Sequence, residues 1–344
     1  AHEVRHGLDV FHPRYPVIPK VGMTAAPALL YAAARRQVRA LVRAGARFDA
    51  IDAHYFYPDG VAAALLAREL GVAFTVTGRG TDLNLIPRYA LPRRMIRWTA
   101  GRAAGLITVC AALRQDLADL GVDPARVRVL RNGVDLETFR RDPAGRDRWR
   151  AELGLGAAPV IVSVGHLIAR KGHDLAIRAL AELGPQTRLM IAGTGPEEPA
   201  LRALAAASGV AERVHFLGAV AHAELRAVYS AADALVLASS REGWPNVLLE
   251  SLACGTPVVA TAVNGTPEVV RDPVAGRVVA ARTPEALAGA LRDVLAKAPA
   301  PSAVRAYAER YSWDATSQGQ VALFEQIRRA GSDAAGDGLA AALR

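Results

Sequence analysis

The chain has 344 residues, a formal net charge of +9, 51% hydrophobic but only 6% aromatic residues, and two cysteines. That length predicts roughly two domains, and a composition rich in Ala, Val and Leu fits helices packed on parallel strands rather than a disordered or fibrous chain. Cys110 and Cys254 both lie inside apolar runs, which fits free buried thiols in a reducing compartment and implies no disulfide framework; with no run long enough to span a membrane and no secretory signal at the start, a cytoplasmic protein is expected, soluble or peripheral on the inner membrane face.

The charge is unevenly placed: residues 1–150 carry 24 Lys plus Arg against 14 Asp plus Glu, or +10, leaving 18 against 19, or −1, for the remainder. An anionic partner is therefore expected on the N-terminal side, such as a phospholipid surface, a lipid-linked phosphate or an acidic glycan. Nucleic acid is not expected, because no basic stripe interleaves with aromatics and no known nucleic-acid module is present.

Taken in order, HEVRHGLDVF opens with His-Glu-x-x-His, a zinc motif when both His share a helical face. Here Gly7 follows at once and the pattern up to Phe11 alternates like a strand, so zinc is not expected. HPRYPVIPKVGM reads as a loop and residues 27–43 as an Arg-rich helix. FDAIDAHYFYPDG predicts a strand running into a turn, VAAALLAREL a helix stopped by Gly71, and VAFTVTGRGTDL the next strand and loop, a βαβ unit. His54 then sits at a strand's carboxyl end, where α/β proteins bind ligands. The basic stretch holding Arg88, Arg93, Arg94, Arg97 and Arg102, interleaved with Tyr89, Leu91, Met95, Ile96 and Trp98, suits either a helix lying on lipid or an ordinary solvated face. AAGLITVC and RVRVLRNGVD are further strands. Residues 139–157 turn charged and rich in Gly and Pro, which reads as a linker. Then the alternation restarts with VIVSVG, RLMIAG, VHFLGAV, ADALVLAS and TPVVAT as strands. The expected domains are 1–145, 146–312, and a final helix and tail over 313–344, with residues from 330 expected to fray.

The stretch SREGWPNVLLESLACG, residues 240–255, organises the second half. A polar turn leads into a helix, with Asn246 expected to cap it and Gly255 to stop it. A helix start at the carboxyl edge of a parallel sheet aims backbone N–H groups and a positive dipole end into the crevice, where phosphates bind. Glu242 before the helix and Glu250 one turn inside it flank that anion site, a layout suited to sugar, diphosphate and ribose in turn.

The Glu, seven residues, Glu spacing, followed by CGTPVVAT and NGTPEVV, resembles the donor signature of retaining glycosyltransferases of family 4. The resemblance implies the GT-B fold: two doubly wound, Rossmann-like parallel sheets facing one another across a cleft. It also implies transfer of a sugar, of hexosyltransferase type, from a UDP- or GDP-sugar to a hydroxyl of a glycan or lipid-linked acceptor, as in cell-surface polysaccharide synthesis. Neither cofactor nor metal is implied, and no Asp-x-Asp triplet is present. By the same resemblance Glu242 faces the donor sugar, Glu250 holds the ribose hydroxyls, and the backbone of Gly243, Trp244, Pro245, Asn246, Val247 and Leu248 holds the diphosphate. Lys171 in HLIARKG is the phosphate cation, His166 stands where the family usually has Arg, and Arg170 is a candidate to compensate. Gly193 in GTGPE and Val220 in LGAV lie near the nucleotide base, and His54 near the transferred sugar. In TGRGTD, Arg79 replaces a common His. Ala1 falls in what resembles the second strand of the family's first domain, so the preceding strand and Gly-rich loop are absent from this sequence. Alternatives are a nucleotide-sugar epimerase of the same fold, or an inactive nucleotide-sugar binding protein.

Overall fold

The computed structural model describes residues 1–16 and 22–342, with side chains as far as Arg329. Two compact units form: Ala1–Leu130 with Ser317–Arg344, and Arg131–Thr316.

In the first unit, β1 (His2–Arg5) and β2 (Leu8–Phe11) make an antiparallel hairpin, not a parallel strand of the domain sheet as the family pattern suggests. His6 at φ 49° and Gly7 at φ 79° form its two-residue turn, the backbone that tight hairpins require. His2 thus lies on a strand and His6 in a turn, so they share no helical face. The Pro-rich loop falls partly on residues 17–21, outside the described residues. After α1 (Ala26–Arg43) the chain alternates through β3 (Ala50–His54), α2 (Val61–Leu70), β4 (Ala73–Gly78), α3 (Thr81–Asn84), α4 (Ala90–Ala100), β5 (Gly105–Thr108), α5 (Ala111–Asp119) and β6 (Val127–Val129). The four strands β3 to β6 pair in sequential order, all parallel. α4 keeps Ile96 and Thr99 buried while Tyr89 and Leu91 near its start stay exposed.

The second unit begins earlier than the sequence suggests. Residues 143–152, expected to be linker, form α6 (Pro143–Glu152), whose start is capped by Asp142 accepting from the Gly145 amide at 2.9 Å. Arg146 and Arg150, one turn apart, both reach Asp233, at 3.1 and 2.8 Å. These bonds tie the charged stretch to the second unit, and the compact units divide at Leu130 and Arg131 rather than at 145.

The sheet of this unit uses β7 (Val160–Val164), β8 (Arg188–Ala192), β9 (Val214–Gly218), β10 (Ala234–Leu237), β11 (Val258–Thr261) and β12 (Gly276–Val279). Between them run α7 (His173–Ala181), α8 (Glu198–Ala207), α9 (Leu225–Ala231), α10 (Asn246–Ala253) and α11 (Thr266–Val269), followed by α12 (Pro284–Lys297) and α13 (Pro301–Ala308). Every residue of β7, β10 and β11 is buried, as a parallel sheet covered on both faces demands. The order is β12-β11-β10-β7-β8-β9, so the chain winds outward from β7 to β9, then returns to β10 and winds the other way. The reversal places a crevice between the carboxyl ends of β7 and β10.

The last helix, α14 (Asp314–Ala342), runs on to Ala342; the last two residues of the stretch expected to fray, 343 and 344, lie outside the described residues. Its residues from Ser317 belong with the first unit. There Leu323 and Ile327 bury against Ile107, and Gln320 Nε2 donates to Asp52 Oδ2 at 2.7 Å. Among the described residues, no helix is long and apolar enough to cross a membrane.

Candidate functional site

The loops after β7 and β10 meet at the reversal. Gly172 allows it: at φ 72° it brings the loop so close to the end of β10 that a Cβ would sit 2.1 Å from the Ala238 carbonyl oxygen. No L side chain fits there. Lys171, one residue earlier, therefore reaches across, and its Nζ donates to Glu242 Oε1 at 2.7 Å. Arg170 Nη1 donates to the Arg241 carbonyl at 2.7 Å and lies 3.6 Å from Glu242 Oε2. The sequence separates Lys171 from Glu242 by 71 residues, and the fold makes them one ion pair with both side chains largely buried.

Two residues outside the expected set hold Glu242, one at its carboxylate and one at its backbone. Ser239 Oγ, fully buried, donates to Glu242 Oε1 at 2.7 Å, and Asn264 Oδ1 accepts from the Glu242 amide at 3.2 Å. Asn264 belongs to the NGTPE string, which is a visible signal; Ser239 is one of two adjacent serines with nothing in the sequence to tell them apart.

Beyond Glu242 the loop drops into α10. Pro245, not Asn246, is the residue preceding the helix, and no side chain caps it. Asn246 is the first helical residue and instead accepts on Oδ1 from Asn132 Nδ2 at 3.1 Å. Pro245 has no N–H and fixes its own φ, so it starts the helix while leaving the first-turn amides uncapped by any side chain. Leu248, Leu249 and Leu252 anchor the helix in the core, and Gly255 at φ 80° ends it as expected. Trp244 is buried beneath the loop, 6.3 Å from the Tyr311 ring, with the Arg131 guanidinium 6.0 Å from its own ring. Val247 is half-buried, and the Gly243 carbonyl accepts from the Gly265 amide at 3.1 Å.

The remaining expected residues divide into groups. His166, Gly193 and Val220 line one cavity of about 280 Å³ with Val164, Thr194 and Leu225. Glu250 lies apart from that lining; it accepts from the Tyr229 hydroxyl at 2.7 Å, and burial pushes its carboxyl above the usual range. Cys254, at the end of α10, is a free buried thiol pushed up to about 12 chiefly by burial, too inert for nucleophilic work. His173, the first residue of α7, carries no signal in the sequence that sets it apart. It is buried, its Nδ1 lies 2.9 Å from Ser163 Oγ, and burial drives its pKa down to about 4. Among the described residues no group of three or more His, Cys, Asp or Glu is arranged to hold a metal ion.

His54 ends β3 in the first unit, half-exposed, with Asp52 two residues back on the same strand face. Arg79, on the loop after β4, reaches its ring: Nη2 and Nε lie 2.6 and 3.2 Å from Nδ1. That loop is held by Asp82. Its fully buried carboxylate accepts from the amides of Phe56, Arg79 and Gly80 at 2.8, 3.1 and 2.8 Å, and burial pushes it above the usual carboxylate range. Asp82→Ala would strand three backbone amides, each costing about 1–3 kcal/mol if unsatisfied. A loss of roughly 3 kcal/mol or more in urea unfolding is therefore expected, and a change below about 1 kcal/mol, by the same principle, would show that the loop does not depend on this carboxylate.

These features agree with known proteins. Residues 2–138 match the model described as Glycosyltransferase Family 4, and residues 145–311 the one described as Glycosyl transferases group 1. A D-inositol 3-phosphate glycosyltransferase of Frankia alni is 37% identical over 299 residues, covering 79% of this chain and 72% of that protein. One of the same name from Mycobacterium avium is 40% identical over 229 residues, covering 63% of this chain; against it and the Mycolicibacterium paratuberculosis relative the chain spans about half the relative's length, 52% and 50%. Among solved structures, sucrose-phosphate synthase from Thermosynechococcus elongatus superposes with a TM-score of 0.81 at 23% identity, covering 95% of this chain and 85% of that one. HepE of Anabaena in complex with UDP gives 0.74 at 23% identity, with 86% and 82% covered. The two Rossmann-like units are those of the GT-B fold, and the chain belongs to the family 4 glycosyltransferases.

Proposed function

We propose that this chain transfers a sugar from a nucleoside diphosphate sugar to an acceptor hydroxyl with retention at the anomeric carbon and without a metal. The single observation that carries this reading is the convergence, at the sheet reversal, of Lys171, Arg170, Glu242 and the start of α10. As the bond to the sugar breaks, the leaving diphosphate gains negative charge. Lys171, Arg170 and the amides at the start of α10 are preorganised cations and dipoles that stabilise such charge without reorganisation, the role a metal plays elsewhere. To bind the diphosphate, Lys171 turns from Glu242 to phosphate, and Glu242 is released toward a sugar hydroxyl. His166, Gly193 and Val220 line the cavity for the nucleoside, Glu250 holds its ribose, and His54 meets the transferred sugar. HepE, the UDP-bound structure of similar fold, supports the donor class. The acceptor in this reading is a glycan or lipid-linked hydroxyl; the curated relatives named for D-inositol 3-phosphate add a phosphorylated polyol as a test acceptor.

The experiment is a thermal-shift screen of UDP, GDP and ADP with their glucose and mannose conjugates. A ligand at a hundredfold its Kd stabilises by about 2.7 kcal/mol, so one nucleotide family is expected to raise Tm by several degrees. No shift with any of them contradicts the reading. The cytoplasmic, peripheral placement is proposed from the basic N-terminal half and from α4, where Arg93, Arg94 and Arg97 accompany exposed Tyr89 and Leu91. Sedimentation with phosphatidylglycerol vesicles but not with phosphatidylcholine vesicles is expected, and equal binding to both contradicts it.

A further inference from the structure

His54 is bracketed by groups that leave its ring one hydrogen-bonding choice. Arg79 approaches Nδ1 with two donors, Nη2 at 2.6 Å and Nε at 3.2 Å. A guanidinium has donors only and does not lose its proton in proteins, so Nδ1 must present a lone pair. The ring proton then resides on Nε2, and the nearest charged partner there is Asp52 Oδ2, a pure acceptor, at 3.3 Å. Asp52 is itself fixed from two other elements: Thr75 Oγ1 on β4 donates to its Oδ1 at 2.5 Å, and Gln320 Nε2 on α14 donates to its Oδ2 at 2.7 Å. Burial alone would raise this carboxyl, but the bonds from His54 and Thr75 outweigh it and hold it below the usual range. Asp59, ahead of α2, also interacts electrostatically with the ring.

We propose that Arg79 and Asp52 are positioning residues that hold His54 as its neutral Nε2–H tautomer, with Nε2–H the one ring donor available for sharing with a sugar hydroxyl or phosphate oxygen. Arg79 imposes this restriction because a guanidinium can only donate. A His in its place could donate to Nδ1 or accept from it, and would leave the tautomer unspecified; Arg allows one answer. Asp82 sets where Arg79 stands, by taking the Arg79 and Gly80 amides. The inference rests on the reading of His54 as a donor-sugar contact, yet its main test does not depend on turnover.

That test is the ring nitrogen spectrum of the whole chain labelled with ¹⁵N-histidine, with His54 assigned by its loss in His54→Gln. At neutral pH the intact protein is expected to show Nδ1 as an unprotonated nitrogen and Nε2 as a protonated one. Arg79→Met is expected to return the ring to a mixture of tautomers, and Arg79→Lys, which keeps a cationic donor, to restore the single form. In turnover assays Arg79→Met and Asp52→Asn should lower kcat roughly ten- to a hundredfold through misorientation, with KM for the donor little changed, and neither should add to the loss caused by His54→Gln. A His54 ring that averages between tautomers in the intact chain, or that bears its proton on Nδ1, overturns the inference even if the chain proves an active transferase. Conversely, an inert chain with a locked ring overturns the transferase reading and not the clamp.

Discussion

Glu242→Ala is expected to lower turnover by about 10²- to 10³-fold, the usual loss when one preorganised electrostatic group is removed from a transferase or hydrolase site. The same substitution should leave binding of the nucleoside diphosphate alone unchanged or tighter. The two effects separate because the carboxylate holds Lys171 at 2.7 Å while Ser239 and Asn264 hold the residue in place. Without it, Lys171 no longer has to give up a partner before meeting phosphate, but the sugar loses its contact. Removing one member of a buried pair costs about 3–5 kcal/mol, so Glu242→Gln, which keeps hydrogen-bonding capacity, is the companion variant. It should fold normally and still turn over slowly. Calorimetry of the nucleotide and steady-state kinetics of the sugar nucleotide check both halves; equal losses in nucleotide affinity and kcat/KM would assign Glu242 to phosphate rather than to sugar.

His173 should impose an acid limit on the second unit. Its ring is buried at the start of α7, immediately after Lys171 and Gly172, and burial takes its pKa from the ordinary 6.5 to about 4. The unfolded chain binds this proton near 6.5 while the folded chain resists it until about 4, so the stabilisation is complete above the unfolded pKa and is lost as pH falls through that window. Each tenfold change in proton affinity is worth about 1.4 kcal/mol, so the whole difference amounts to roughly 3 kcal/mol. Urea unfolding at a series of pH values should show it as the difference between the intact chain and His173→Gln, whose stability should depend less on pH between 4 and 6.5. Parallel slopes for the two proteins would remove His173 as the cause.

Most of the second unit is legible in the sequence because its strands are continuous apolar runs. VIVSV, ALVL and VVAT cannot be solvated on either face, and glycines or polar turns bound them. The REGWPN turn and the Gly255 stop are legible for the same local reasons. Pairing is harder to read. Lys171 and Glu242 meet only because the sheet reverses between β7 and β10, and a pattern along the chain carries no record of strand order. Alternation from His2 to Phe11 signals a strand without naming its partner, so a hairpin and a sheet strand look alike until the turn at His6 and Gly7 sets the pairing. The charged stretch around α6 reads as linker on composition, although Asp142-Pro143 is a helix-start signal and Arg146 and Arg150 lie one turn apart. The start of α10 slips by one residue, since Asn is a common cap and Pro245 serves here by its missing N–H. Asp52 and His54 at i and i+2 share one strand face and are open to notice; Arg79, from a loop 25 residues on, is not a foreseeable partner.

The measurement that bears most directly on all of this is the position of the pyrophosphate in crystals of the chain grown with the sugar nucleotide that gives the largest thermal shift. The account predicts phosphate oxygens on the amides of residues 246–248, with Lys171 Nζ swung from Glu242 onto a phosphate and Glu242 facing the sugar ring. A nucleotide bound elsewhere, with Lys171 still on Glu242 and the entrance to α10 holding only solvent, would contradict it.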